Sequence, residues 1–382
     1  MRTQNNVIKL AMLVFAVCFV MLGGGRQALA QGAPQYKVDP SWPKQLPNNW
    51  IMGQVGGLTV DGENHIWVLQ RPNSDTVDEL GAAQTPPRSE CCVAAPPILE
   101  FDVQGNLVRS LGGPGQGYDW PTSEHGIFID KKGNIWVAGN APVDRQVLKF
   151  GPDGKFLMQI GHPGSATQAA DSASHDLLGR PSGIAVDEAA REVYISDGYM
   201  NKRVIVFDSE SGAFKRMWGA YGNVPNDADP GAYNPAAPVD QQFRNPVHCV
   251  HISNDGLVYV CDRTNDRIQV FTKEGKFVKE LFVRKETLGQ GSAWDFVFSR
   301  DAEQKFMIMA DGEDNVLWTI ERSSGNVLGK IGHSGRNAGQ FHWVHQIASD
   351  SNGNLYTGEV DNAKRIQKFV IVSGEEDKSQ KH

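Results

Sequence analysis

One phrase recurs six times along this chain, a short apolar strand entered through a single variable residue and left through a polar turn. The six copies run Gly56-Gly57-Leu58-Thr59-Val60-Asp61, His125-Gly126-Ile127-Phe128-Ile129-Asp130, Ser182-Gly183-Ile184-Ala185-Val186-Asp187, His248-Cys249-Val250-His251-Ile252-Ser253, Trp294-Asp295-Phe296-Val297-Phe298-Ser299 and His345-Gln346-Ile347-Ala348-Ser349-Asp350. Second strands follow the turns, as in Ile135-Trp136-Val137 and Val258-Tyr259-Val260. An outer pair comes next around another glycine turn, as in Val147–Phe150 with Phe156–Ile160 and Ile268–Phe271 with Phe277–Leu281. Four short antiparallel strands at periods of roughly 45 to 70 residues mark the blades of a β-propeller. No segment beyond the N-terminal apolar run shows the 3.6-residue period of a helix, which excludes helical repeats. The sixth repeat has three clear strands, ending at Phe369–Val372, and Tyr36–Asp39 supplies the fourth. Pairing the two chain ends closes the ring and removes the open sheet edges. The expectation is one all-β, six-bladed propeller over residues 31–373, with a polar tail at 374–382.

The N-terminus reads as an export signal. Arg2 and Lys9 precede the apolar run Leu10–Leu22, and Ala28-Leu29-Ala30 forms a small-x-small cleavage site before Gln31. Residues 1–30 are therefore expected to be a signal peptide and the mature protein to be periplasmic or extracellular. Cleavage removes Cys18 and leaves Cys91, Cys92, Cys249 and Cys261, an even number that permits disulfides in an oxidising compartment. Cys249 and Cys261 flank the turn Asn254-Asp255-Gly256 at nearly equal distances, so they should face each other across two strands, close enough for a disulfide that such a site strains. A net charge of −7 without a basic block gives nucleic acid nothing to hold.

The first strand of a propeller blade lines the central channel. Its entry residue is Gly56, His125, Ser182, His248, Trp294 and His345 in the six blades, so histidine occupies blades two, four and six. A pseudo-threefold rotation relates these positions, and their imidazoles should converge on the axis. Three such nitrogens with a fourth position open are a zinc site suited to Lewis-acid chemistry. His251 and His342 are off this register and should face the sheet or solvent, or support the ligands from behind. A second ring lies where the second strands end: Arg71 in blade one, Arg263 in blade four, and Ser196-Asp197-Gly198-Tyr199 in blade three. Two guanidiniums and a phenol above a metal can bind a carboxylate and move a proton.

The repeated phrases look like NHL repeats, and the full set of residues resembles the peptidyl-α-hydroxyglycine α-amidating lyases, also called peptidylamidoglycolate lyases. The resemblance runs from about Gly53 to Phe369. It is carried by Gly53-Gln54-Val55, the His125-Gly126 phrase, Ser196–Arg203, Asp262-Arg263 with Asn265 and Arg267-Ile268-Gln269, and the His345 phrase. It implies zinc on His125, His248 and His345, Tyr199 as the base that takes the substrate hydroxyl proton, and Arg71 and Arg263 in the active site, one of them on the substrate carboxylate. It also implies a structural calcium on the carbonyls of Leu58 and Ile127 and on an aspartate that is Gln346 here, a poorer ligand for a hard cation. A family methionine near the site is Trp343 in this chain, and a family cysteine after the tyrosine is Met200. The insertion Pro72–Pro97, with Cys91 and Cys92 inside it, follows Arg71 directly and is expected to form a lid.

The expected activity is an exported zinc-dependent lyase. It cleaves the N–C bond of an α-hydroxyglycine-type carbinolamide to an amide and glyoxylate. Its partner is a small-molecule or peptide substrate carrying a carboxylate, with no nucleic acid and, after signal cleavage, no membrane; the oligomeric state stays open. Two rivals share the architecture. A metal-dependent hydrolase or lactonase would use clustered channel acids, of which the aligned positions offer only Asp295. A propeller that only binds a partner leaves the histidines without a role.

Overall fold

The computed structural model of the protein describes residues 32–372; the expected signal peptide and the polar tail lie outside the described residues. The chain forms six four-stranded antiparallel sheets, the first five laid down from the inside outward. The inner strands are Gln54–Val60, Glu124–Ile129, Pro181–Asp187, Val247–Ile252, Asp295–Phe298 and Val344–Ser349. They neighbour one another around the axis, and the sixth returns to the first. Gln35–Asp39 pairs with Ile366–Val372 from Gln35↔Val372 to Asp39↔Lys368, so blade six is built from both ends of the chain, as expected. Helix among the described residues amounts to single 3-10 turns.

The repeated phrase has a local physical cause. In blades one, two and six an aspartate ends the inner strand and organises the turn with both oxygens. Asp61 Oδ1 accepts from the His65 backbone N–H at 2.8 Å, Asp130 Oδ1 from Asn134 N–H at 2.9 Å and Asp350 Oδ1 from Asn354 N–H at 3.0 Å. The other oxygen takes the polar tip of an aromatic ring on the second strand: Trp67 Nε1 at 2.8 Å, Trp136 Nε1 at 3.1 Å and the Tyr356 hydroxyl at 3.0 Å. The rings themselves are buried between blades, where their indoles and phenol need such partners.

Five of the six inner strands carry the same irregularity near their start. The ladder to the second strand slips by one residue between Val55 and Gly57, Glu124 and Gly126, Pro181 and Gly183, Val247 and Cys249, and Val344 and Gln346. The residues squeezed out are Gly56, His125, Ser182, His248 and His345. In blade five the paired strand begins at Asp295, immediately after the equivalent Trp294. A bulge of this kind re-aims one side chain away from its sheet face. The sequence alignment therefore identifies a structural position, which is a bulge in five of the six blades.

Close packing of neighbouring bulges explains why blade one has glycine there. A Cβ on Gly56 would lie 2.1 Å from the backbone oxygen of Glu124, in the bulge of the next blade. Gly62, in the turn of the same strand, has open space around it. Gly56→Ala should therefore lower the urea midpoint by the equivalent of about 1–3 kcal/mol, the usual cost of overpacking against an unyielding backbone. Gly62→Ala should leave the midpoint within error, and equal midpoints for the two variants would contradict the packing argument.

Candidate metal centre

The three bulge histidines meet on the axis. Their ring centroids are 5.0 Å apart for His125 and His248, 4.8 Å for His125 and His345, and 4.9 Å for His248 and His345. All three are buried. His125 Nδ1–H donates to the Ser182 carbonyl at 3.0 Å, and His248 Nδ1–H to the Trp294 carbonyl at 2.6 Å. In both cases the acceptor is the bulge-position residue of the following blade. These bonds fix the tautomer and leave each Nε2 as a bare lone pair facing the axis. His345 Nδ1 is buried without a partner; the residue that would serve it in the same pattern is Gly56.

The donor set fits a transition metal. One ligand atom from each ring lies within 4.8 Å of the others. His248 Nε2 and His345 Nε2 are 3.2 Å apart, close to the edge of about 3.3 Å in a tetrahedron with metal–nitrogen bonds of about 2.0–2.1 Å. Burial lowers all three imidazole pKa values well below the usual range, reinforced first by Arg71 at His125, by Arg263 at His248 and by His125 at His345. The rings are thus neutral, the form that ligates.

Tyr199 stands directly over this triad. Its hydroxyl oxygen is 2.9 Å from His125 Nε2 and 3.1 Å from His248 Nε2. Arg263 Nη1 donates toward the same oxygen at 3.4 Å, and its guanidinium lies 4.3 Å from the centroid of the Trp294 ring. Arg71 donates to the Glu124 carbonyl at 2.7 Å, to Gln54 Oε1 at 2.8 Å and to Asn140 Oδ1 at 3.3 Å. The structure thus brings together all six residues picked out in the sequence.

Two loops of the same design hold the rim. In the Tyr199 loop, Asp197 Oδ2 accepts from Arg203 Nε at 2.9 Å and Asn201 Nδ2 at 2.8 Å. In the Arg263 loop, Asp262 Oδ2 accepts from Arg267 Nε and Asn265 Nδ2, both at 2.8 Å. Both ion pairs are fully buried. Sequence reasoning missed a third rim cation, Arg180, whose guanidinium carbon lies 5.6 Å from the Tyr199 ring centroid. It sits before the inner strand of blade three, outside both aligned registers, and its φ of 62° turns it toward the rim.

The other end of the channel opens on the opposite side of the triad. A cavity of about 900 Å³ is lined there by Leu58, Ile127, His251, Asp295 and Gln346; it reaches His248 of the triad but includes none of Arg71, Tyr199 or Arg263. Volume therefore does not locate the rim chemistry. Leu58 and Ile127, the expected calcium carbonyls, do lie beside Gln346. The nearby carboxylate, Asp295, is already bonded to His251 Nε2 at 2.7 Å and to the Ile347 N–H at 3.1 Å. His342 pairs with Asp361 at 3.0 Å, away from the triad. Trp343 packs against Trp294 at 5.4 Å, and Trp294 in turn touches His248 and His345.

The insertion after Arg71 is fastened down. Lys364 of blade six donates to the Ser74 carbonyl at 2.8 Å and to Glu79 Oε2 at 2.6 Å, and Val93–Ala94 pairs with Trp50–Ile51. Cys91 and Cys92 are bonded to each other, and Cys249 is bonded to Cys261 with Cα atoms 4.8 Å apart.

No family model matches the chain. It is 28% identical over 342 residues to peptidyl-glycine alpha-amidating monooxygenase B of Xenopus laevis, covering 87% of this chain and 35% of that protein. It is 25% identical over 341 residues to peptidylglycine alpha-amidating monooxygenase of Rattus norvegicus, covering 87% and 32%. The homologues are amidating monooxygenases and NHL-repeat proteins. The chain spans about a third of the length of the former. With NHL repeat-containing protein 3 of Mus musculus it shares 25% identity over 358 residues, covering 88% of this chain and 84% of that one. Among solved structures, a streptogramin B lyase superposes with a TM-score of 0.50 at 11% identity, over 89% of this chain and 98% of that chain. A protein of unknown function from Bacteroides thetaiotaomicron gives 0.52 at 15% identity, over 84% and 70%. These two likenesses concern the fold.

Purified protein is expected to bind one divalent transition ion per chain. Elemental analysis should find that ion lost in His248→Ala and retained in His251→Ala, whose ring belongs to the other end of the channel.

Proposed function

We propose that this chain is an exported zinc-dependent carbon–nitrogen lyase that cleaves an α-hydroxyglycine-type carbinolamide to an amide and glyoxylate. The observation that carries the reading is the Tyr199 hydroxyl, held 2.9 and 3.1 Å from two triad nitrogens and within reach of Arg263. His125, His248 and His345 hold the zinc, which when bound supplies a Lewis acid to a substrate oxygen. The similarity to amidating monooxygenases, over most of this chain and about a third of their length, supports an amidating, lyase-like propeller. The two disulfides suit an exported protein.

In this reading Tyr199, reacting as its phenolate, takes the proton of the α-hydroxyl and returns it to the departing nitrogen. The oxygen–carbon bond becomes the aldehyde carbonyl of glyoxylate as the carbon–nitrogen bond breaks. The electron pair of that bond returns to nitrogen, and the proton delivered there completes the amide, so no water is consumed. Arg263, beside the phenol, holds the α-carboxylate and orients the hydroxyl toward Tyr199. Arg71 screens the growing negative charge from the opposite wall. A lactonase would want a free carboxylate at the metal, and Asp295 is engaged by His251 and Ile347 instead.

Tyr199→Phe keeps the ring and the packing and removes only the hydroxyl. Turnover of a small N-acyl-α-hydroxyglycine, followed by glyoxylate release, should fall by at least about 10²-fold, the scale of general acid–base catalysis. Zinc content should stay at the wild-type level. A variant that keeps most of its rate, or a wild-type protein that hydrolyses esters and releases no glyoxylate, would overturn the reading.

A further inference from the structure

The rim carries one cation more than a monoanionic substrate needs. The guanidiniums of Arg180 and Arg263 lie 5.6 and 5.8 Å from the centroid of the Tyr199 ring, and Arg71 bonds to the Glu124 carbonyl beside His125. Their hydrogen-bond partners among the described residues are neutral oxygens. Arg71 bonds to a carbonyl and two amide side chains, Arg180 Nε to the Asn140 carbonyl at 2.6 Å, and Arg263 to Tyr199 and to Gln290 Oε1 at 2.7 Å. The arginines that fasten the adjoining loops, Arg203 and Arg267, each have a buried aspartate. In these two adjoining loops the structural arginine has a carboxylate, and the rim arginines have none. A buried or half-buried guanidinium without a carboxylate costs stability unless an anion joins it.

Asn140 arranges two of the three. Its carbonyl holds Arg180 Nε, and its side-chain oxygen holds Arg71 Nη2. The terminal nitrogens of Arg180 have no hydrogen-bond partner among the described residues, and its guanidinium faces the Tyr199 ring. Arg263 reaches the Tyr199 hydroxyl from its own loop.

We propose that Arg180 and Arg71, joined through Asn140, form a second carboxylate subsite, so that the preferred substrate is a dianion: a carbinolamide whose acyl group carries a carboxylate of its own. The α-carboxylate takes Arg263 and the remote carboxylate takes the Arg71–Arg180 pair. Arg180 is thus a specificity-determining residue. The cleavage rests on the lyase reading given above, whereas the recognition of two carboxylates does not.

Two measurements on the full, metal-loaded chain separate these claims. The first is calorimetric binding of glutarate against butyrate. Both probes can meet Arg263 through one carboxylate, so the ratio of their affinities isolates the second. Glutarate should bind at least about tenfold tighter, the return from one well-placed charge-assisted contact. Arg180→Gln should bring the ratio to within about twofold and Arg180→Lys should keep part of the preference, with urea midpoints of both variants confirming that they fold. Equal affinities in the wild type, or an unchanged ratio in Arg180→Gln, would overturn the subsite. The second measurement compares kcat/KM for N-glutaryl- and N-butyryl-α-hydroxyglycine. Turnover of both without preference also overturns the subsite and leaves the lyase reading standing. Turnover of neither, with the glutarate preference intact and lost in Arg180→Gln, overturns the lyase reading and supports the subsite.

Discussion

The site rests on one extra residue in each of the three inner strands that carry its histidines. A regular strand entering the channel would point its side chains alternately into the two faces of its blade, and none would reach the axis squarely. The bulge turns one side chain out of that alternation. The same distortion exposes the carbonyl of the bulge residue, and in two of the three cases that carbonyl receives the imidazole proton of the blade before it. Ligand orientation is therefore set by the ring as a whole. His125 is aimed by its own strand and given its tautomer by blade three; His248 is aimed by blade four and given its tautomer by blade five.

Above the triad, the structure separates charges that hold from charges that receive. Asp197–Arg203 and Asp262–Arg267 are sealed from water, and each aspartate also bonds an asparagine from its loop. Such pairs add little net stability because desolvation consumes most of the Coulombic gain, but losing one partner strands a buried charge. Their effect here is positional. They fix the loop ends so that Tyr199 and Arg263 project from short, rigid stretches of backbone. The rim guanidiniums have only neutral oxygens to steady them and so remain available to an incoming anion.

Much of this arrangement is legible in the chain because the fold is periodic. Aligning the six phrases finds the inner strands, the bulge positions and the three histidines in one step, and the missing fourth strand of blade six points to Tyr36–Asp39. The facing of Cys249 and Cys261 follows from counting outward from a single turn. What escapes is whatever depends on backbone conformation outside the repeat or on partners far along the chain. Arg180 reaches the rim through a left-handed residue that no alignment marks. Asn140 matters because it touches two arginines at once. The anchoring of the Pro72–Pro97 insertion hangs on Lys364, nearly the whole propeller away in sequence and adjacent only once the circle is complete.

That circle imposes an order on events. The strand Gln35–Asp39 is made before every other strand of the propeller, yet its ladder partner, Ile366–Val372, is the last of them. Until then the first blade has no neighbour on one side and His345 does not yet exist to complete the triad. Contacts between the two ends are the most distant in sequence that the chain can make, and such contacts form slowly. A polypeptide threaded across a membrane from its N-terminus would thus arrive with five blades seeking a sixth. The metal-binding site and the mechanical seal of the ring would be completed in the same late step.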